Sequence, residues 1–65
     1  MNWNQIEENW RQLSGKAREQ WARLTEEDLD SVAGDREELA GKIQERYGKP
    51  RVDVRLEIDR WRQSL

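Results

Sequence analysis

Two Gly-Lys pairs are the residues in this sequence that most resemble a phosphate-binding motif. They are Gly15-Lys16 and Gly41-Lys42. A phosphate-binding loop requires a glycine-rich run between a strand and a helix, and Ser or Thr follows its lysine. Here an apolar residue follows each lysine, and both pairs fall within predicted helices. We therefore interpret both lysines as surface residues whose aliphatic stems cover the apolar edge of a helix.

Acidic side chains cluster in two places that would suit a hard cation or an acid–base pair, residues 26–28 and residues 37–38. A calcium-binding loop needs a longer array of oxygen ligands with a glycine turn and a closing Glu, and the sequence lacks that array. The first turn of a helix favours acidic residues because its free N–H groups and its dipole are electropositive. We therefore interpret both clusters as helix starts and predict no catalytic residue, no metal site and no cofactor.

The sequence contains neither Cys nor His. This composition excludes disulfides, thiol nucleophiles, thiolate zinc sites and an imidazole general base. We expect no signal peptide, because the N-terminal residues lack a basic start followed by an apolar run. We also expect no membrane span, since no apolar run is long enough. A monomer in the cytoplasm is the resulting expectation.

The charge balance disfavours specific binding to nucleic acid. Twelve basic residues face fourteen acidic ones, and the sequence pI is near 5.1. A nucleic-acid-binding domain usually carries a basic patch and a pI above about 9. Here the signs are interspersed, and pairs such as Glu7 with Arg11 and Glu38 with Lys42 have the spacing of ion pairs within a helix. Weak nonspecific contact with nucleic acid is the least favoured function that remains open.

The N-terminal part of the chain has the periodicity of one amphipathic helix over residues 4–24. Its apolar side chains recur every three or four positions and fall on one stripe. The stripe consists of Trp3, Ile6, Trp10, Leu13, Ala17, Trp21 and Leu24. Either Asn2 with Gln5 or Asn4 with Glu7 has the spacing of a capping box at the start of this helix.

Two further helices have recognisable start and stop residues. Thr25 is predicted to cap a short helix, with Asp28 reaching back to complete a capping box. Asp35 is predicted to cap a third helix over residues 35–47. Gly48 follows at the place where a left-handed residue closes a helix.

The C-terminal segment has two possible structures. Residues 52–58 alternate apolar and polar side chains, which is the period of a strand. A lone strand would have no partner here, whereas a helix that begins after Pro50 can bury one apolar face and leave Leu56 near its edge. The residues that such a helix would bury are Val54, Ile58, Trp61 and Leu65. We predict the helix.

An internal repeat connects the first and third predicted helices. "LSGKAREQW" at residues 13–21 returns as "LAGKIQERY" at residues 39–47, which aligns Leu13 with Leu39. Helices with equivalent buried faces, joined by a short helix, indicate two helical hairpins packed across one another. Gly15 lies on the polar side of its helix, where a kink is possible.

Three segments occur in the order and at the spacing of a known family: "WRQLSGKAREQW", "LTEEDLDSVAG" and "LAGKIQERYG". On these segments the chain resembles the CsbD-like family of small bacterial stress-response proteins over residues 2–48. The resemblance implies a single all-α domain of residues 1–65, with four helices in two roughly orthogonal hairpins, a SAM-like arrangement. It also implies accumulation under general, osmotic or stationary-phase stress, and it implies no reaction.

The chain departs from the family pattern at several positions. Ala22 stands where the family usually has Gly, and Asp35 stands where it commonly has Lys. The C-terminal segment adds Pro50, Val52 and Leu56. We therefore expect the turn at Ala22 and the charge at Asp35 to differ from the family, and the last helix to follow the implied fold least closely.

Two non-enzymatic functions are favoured over weak contact with nucleic acid. The first is a folded module that binds an unidentified protein partner, because the tryptophan stripe extends further than a small core can cover. Its candidate interaction surface comprises Trp3, Trp10, Lys16 and Lys42. Core packing is the alternative explanation of the tryptophans. The second function is a hydrophilic stress protectant that acts through abundance and solvation, which a charged content of 40% would suit.

Overall fold

The computed structural model describes residues 1–65, and its regular secondary structure is helical throughout. The helices are α1 (Trp3–Glu8), α2 (Trp10–Gln20), α3 (Glu26–Val32), α4 (Arg36–Tyr47) and α5 (Arg51–Ser64). Every helix contributes to one cluster of buried apolar side chains. The predicted all-α class is confirmed, whereas the predicted count of four helices is wrong. The orthogonal packing of two hairpins stays a prediction.

The helix predicted over residues 4–24 is divided at Asn9. α1 begins with the first of the two candidate capping boxes, in which Asn2 and Gln5 exchange side-chain and backbone hydrogen bonds of 2.8 and 3.1 Å. The Asn9 side-chain amide donates to the Gln5 carbonyl oxygen at 2.8 Å, and its backbone leaves helical geometry at φ −106° and ψ 17°. The Asn9 backbone N–H donates to the same carbonyl oxygen at 3.0 Å, so this carbonyl accepts two hydrogen bonds where the helix is interrupted. α2 then passes through Gly15 without interruption.

α2 also ends before residue 24. Trp21 leaves the helix with φ −124° and ψ 80°, and its side chain is buried. The following turn is closed by the Leu24 N–H, which donates to the Trp21 carbonyl oxygen at 3.0 Å. The turn places two large apolar side chains in the core from outside any helix, so burial rather than helical periodicity determines its path.

α3 starts as its sequence predicts. The Thr25 hydroxyl accepts the Asp28 N–H, and the Asp28 carboxylate accepts the Thr25 N–H, each at 3.1 Å. Ala33 and Gly34 then reverse the chain with φ of 51° and 80°. A β-carbon at Gly34 would lie 2.7 Å from the Glu7 backbone, so this turn requires glycine for space as well as for conformation.

α4 has the predicted termini. The Asp35 carboxylate accepts the N–H groups of Glu37 and Glu38 at 2.9 and 3.1 Å. Gly48 adopts φ 65° and closes the helix as a left-handed residue. Both ends of α4 therefore carry a favoured residue type, Asp at the N-cap and Gly at the C-cap.

α5 confirms the helical prediction for residues 52–58. Pro50 is the residue before the helix, where its missing N–H leaves no hydrogen bond unmade. Val54, Ile58 and Trp61 are buried along one side, and Leu65 is half-buried at the end. Leu56 is 53% exposed, in agreement with its predicted position outside the core.

Candidate functional site

The tryptophans of the predicted stripe converge on Trp61 instead of lining one straight helix. The Trp61 ring centroid lies 6.4 Å from that of Trp3, 6.5 Å from that of Trp10 and 5.5 Å from that of Trp21. The Trp10 and Trp21 rings meet Trp61 edge to face, which is a favoured aromatic geometry. The break at Asn9 and the early end of α2 make this convergence possible.

The two tryptophans of the candidate interaction surface differ in accessibility. Trp10 is 8% exposed, and its indole N–H donates to the Leu29 carbonyl oxygen at 2.8 Å. Trp3 is half-buried, and its indole nitrogen is shielded from water without a hydrogen-bond partner. Trp3 therefore keeps part of its surface accessible, whereas Trp10 joins α2 to α3.

The two lysines of the candidate surface also lie in different surroundings. Lys16 is exposed on α2. The Lys42 side chain is 28% exposed, and its Nζ lies 3.8 Å from Asp28 Oδ1 and 3.9 Å from Glu45 Oε2. The repeat predicted equivalent positions, but only the second lysine belongs to a charged cluster.

Most ion pairs connect different helices rather than successive turns of one helix. The inter-element pairs are Arg18–Glu26, Arg36–Asp59, Lys49–Glu57, Glu37 with Arg51 and Arg55, and Asp28 with Lys42 and Arg46. The predicted pairs Glu7–Arg11 and Glu38–Lys42 do not form. Long side chains instead reach carboxylates that the fold brings closer, and Lys42 turns towards Asp28.

Asp28 is the buried charged residue of the structure, and its side chain is 7% exposed. Its carboxylate receives two hydrogen bonds from the Arg46 guanidinium, at 2.9 Å from Nε and 3.1 Å from Nη2. Sequence reasoning found the cap that Asp28 makes with Thr25 but missed its pairing with Arg46. No short-range pattern could reveal this contact, because the partner lies on another helix.

The electrostatics of this cluster favour fixed charges. Hydrogen bonds from Arg46 and from the Thr25 backbone hold the pKa of Asp28 at about 2, below its usual 3.8, although burial acts in the opposite direction. The Asp28 carboxylate in turn raises the pKa of Arg46. A carboxylate with such a low pKa is a weak proton acceptor at neutral pH. The arrangement therefore suits a structural clamp between α3 and α4 better than acid–base chemistry.

An open hollow of about 450 Å³ lies beside this cluster. Its lining comprises Arg18, Thr25, Glu26, Glu27, Asp28 and Arg46. Pockets for small organic ligands are mostly apolar with a few placed polar groups, and this lining contains no apolar side chain. The hollow therefore resembles a solvated charged surface.

The outward side of α5 carries a second accessible feature, an apolar pair. Val52 is 65% exposed and Leu56 is 53% exposed. Their spacing of four residues places them on one face of the helix, on the side opposite the buried Val54 and Ile58. The strict alternation of residues 52–58 was the sequence signal for this pair, since a helix cannot bury both sets of apolar residues at once.

These features describe a small all-helical protein, in which no helix is long and apolar enough to cross a membrane. A model of the CsbD-like family matches residues 4–55, and the chain belongs to that family. It is 46% identical over 65 residues to UPF0337 protein RPA4217 of Rhodopseudomonas palustris, covering 100% of this chain and 98% of the relative. It is 43% identical over 61 residues to UPF0337 protein YjbJ of Escherichia coli K12, covering 94% and 88%.

A third relative, UPF0337 protein ECA0631 of Pectobacterium atrosepticum, is 46% identical over 61 residues, again with 94% and 88% coverage. These names state neither a reaction nor a partner. No solved structure matches the chain. The comparisons therefore confirm the family resemblance and leave its function to be argued from the molecule.

Proposed function

We propose that this chain is a non-enzymatic, cytoplasmic stress-response protein that acts as a monomeric, folded module and binds a protein partner. The observation that carries the proposal is the exposed apolar pair of Val52 and Leu56 on the outer face of α5. Both residues are more than half exposed and lie outside the core cluster, so they contribute little to the packing inside the chain.

Burial of this pair by a partner would be favourable. Complete burial of a Val or Leu side chain contributes roughly 1.5–3 kcal/mol, and more than half of each side chain is available for contact. The neighbouring Arg55 and Asp59 are engaged in ion pairs with Glu37 and Arg36. The two ion pairs hold the side chains that surround Val52 and Leu56. Few of these side chains would therefore lose conformational freedom when a partner binds.

The surface first suggested by the sequence is retained in part. Trp3 and Lys16 are accessible and remain candidates for contact with a partner. Trp10 and Lys42 support the proposal indirectly, because they hold α3 against α2 and α4. The surface proposed here is the pair of Val52 and Leu56 on the outer face of α5, and Trp3 and Lys16 belong to a separate accessible area beside Trp61.

The stress context rests on the CsbD-like family resemblance, and the non-enzymatic character rests on the charges. The strongly shifted carboxyl, Asp28, is shifted away from neutral pH by structural hydrogen bonds. The alternative function, a protectant that acts by abundance, is favoured by the mean hydropathy of −1.27. An ordered core with converging tryptophans argues for the module instead.

The test is affinity capture from stressed cells with a double variant, Val52→Gln and Leu56→Gln. Glutamine keeps the helix propensity while removing the apolar contact. A matched control carries Gln12→Ala and Glu19→Gln at exposed positions of α2. We expect one protein to be retained by the parent and the control and lost by the double variant. Equal retention by all three proteins, or retention by none, would contradict this surface.

A further inference from the structure

A single carboxylate joins the start of α3 to the later part of α4. Asp28 accepts the Thr25 N–H through Oδ2 and completes the cap of its own helix. The same carboxylate accepts both Arg46 hydrogen bonds and lies 3.8 Å from Lys42 Nζ. Arg46 is a bidentate donor, which is the strong form of this contact.

α3 covers the indole of Trp10. The helix has 7 residues, and isolated helices of that length are unstable in water. Its Leu29 carbonyl accepts the Trp10 indole N–H at 2.8 Å, and the side chains of Leu29 and Val32 are buried. α3 therefore stays in place through this packing and through the Asp28 clamp.

The charges that surround Asp28 come from three helices. They are Arg18 of α2, Glu26 and Glu27 of α3, and Lys42, Glu45 and Arg46 of α4. Glu26 is paired with Arg18, and Glu45 is paired with Lys42. Arg46 has Asp28 as its carboxylate partner, so neutralisation of Asp28 leaves this guanidinium without one.

We propose that α3 is an acid-released flap, which ionised Asp28 holds closed over Trp10 and which opens as a unit when Asp28 becomes neutral. Opening exposes Leu29, Val32 and the Trp10 indole to the medium. The remaining helices keep the contacts among Trp3, Trp21 and Trp61, which involve no residue of α3. This conformational device is independent of the partner proposed above.

The sign of the pH dependence follows from the lowered pKa of Asp28. Its stabilising contribution is complete above the ordinary pKa of 3.8 and is lost as the pH falls through the folded value of about 2. The flap thus stays closed at neutral pH and in mild acid, and it opens between about pH 4 and pH 2.

Asp28→Asn tests the contact of Asp28 with Arg46 and Lys42 separately from its hydrogen bond to Thr25 at the start of α3. The asparagine oxygen still accepts the Thr25 N–H, but it carries no charge for Arg46 or Lys42. Glu27→Gln is the matched control, because it removes a neighbouring exposed carboxylate that forms no ion pair. Amide hydrogen exchange by NMR at pH 7 compares both variants with the parent, and the Trp10 indole N–H reports on the flap directly.

We expect Asp28→Asn to lower the protection of α3 amides and of the Trp10 indole N–H by about tenfold to a hundredfold, the range for a hydrogen bond to a charged group. The protection of α4 and α5 should change much less. Glu27→Gln should match the parent in every helix. Unchanged α3 protection in Asp28→Asn, or an equal loss in all helices, would overturn the flap.

A titration of the parent keeps the proposal testable if Asp28→Asn fails to fold. The carboxyl carbon of Asp28 and the Trp10 indole N–H are followed by NMR from pH 5 to pH 2, together with amides of α5. We expect the Trp10 signal to move with the Asp28 titration while the α5 amides keep their folded shifts. Loss of all folded signals before Asp28 titrates would contradict the proposal.

Discussion

The indole rings of Trp21 and Trp61 meet edge to face, with centroids 5.5 Å apart and an interplanar angle of 62°. One ring comes from the turn after α2 and the other from the last helix. The Trp21 indole N–H also points to Glu57 Oε1 at 3.4 Å. Trp61 also contacts Trp3, so α5 packs against both the turn after α2 and the N-terminal helix.

Replacement of Trp61 by Ala should destabilise the fold more than replacement of Trp3 by Ala. Trp61 is 5% exposed and contacts three other tryptophans, so its removal should cost about 3–5 kcal/mol. Trp3 is only half-buried and leaves a smaller cavity. Urea unfolding monitored by circular dichroism measures both free energies. Equal losses for the two variants would show that Trp61 is not the centre of the cluster.

Leu13 and Leu39 occupy corresponding positions of the repeat, and both are buried. Truncation of either to Ala should lower the free energy of unfolding by about 2–5 kcal/mol. Lys16→Gln, on the exposed side of α2, should change it by less than about 0.5 kcal/mol. Thermal melts of the three variants test the prediction. A Leu13→Ala protein as stable as the parent would refute the core assignment.

Three glycines should respond differently to replacement by Ala. No atom lies within 4 Å of a β-carbon placed at Gly15 or Gly41, so each substitution should stabilise its helix by about 0.5–1 kcal/mol. Gly34→Ala should destabilise the protein, since its β-carbon would lie 2.7 Å from the Glu7 backbone. Denaturant melts measure the three changes. Stabilisation by Gly34→Ala would contradict the positive φ of Gly34 and its close approach to Glu7.

The pKa of Glu37 is lowered, and the main cause is its hydrogen bond from Arg51, with a smaller contribution from Arg55. Arg51→Gln should therefore raise this pKa towards 4.5, as measured by NMR of the carboxyl carbon. The stabilisation by Glu37 is present above pH 4.5 and is lost as the pH falls through its folded pKa. Arg60→Gln is the control and should leave the pKa of Glu37 unchanged. An equal shift in both variants would indicate a general charge effect.

Local sequence signals predicted the helix boundaries wherever a cap decided them. Asn2, Thr25, Asp35 and Gly48 all act as their types and spacing indicated. The division at Asn9 was missed because the stripe of apolar residues continues across it without a change of period. At Asn9 the backbone leaves helical φ and ψ while the side chain donates to the Gln5 carbonyl oxygen, a local feature that the spacing of apolar residues does not report.

The candidate site was predictable only in part for a related reason. The tryptophan periodicity correctly identified residues that share one apolar environment, but it could not show that a residue from α5 lies at the centre of that environment. The Asp28–Arg46 pair likewise depends on how α3 and α4 are placed against each other. Long-range placement of this kind leaves no mark in the spacing of neighbouring residues.

The central claim is that the chain acts as a folded module rather than as a disordered protectant. Thermal unfolding of the purified protein in dilute buffer, followed at once by far-ultraviolet circular dichroism and tryptophan emission, tests it most directly. We predict blue-shifted emission, because Trp10, Trp21 and Trp61 are buried, and one cooperative transition that coincides in both signals. Red-shifted emission with a gradual, featureless melt would contradict the account.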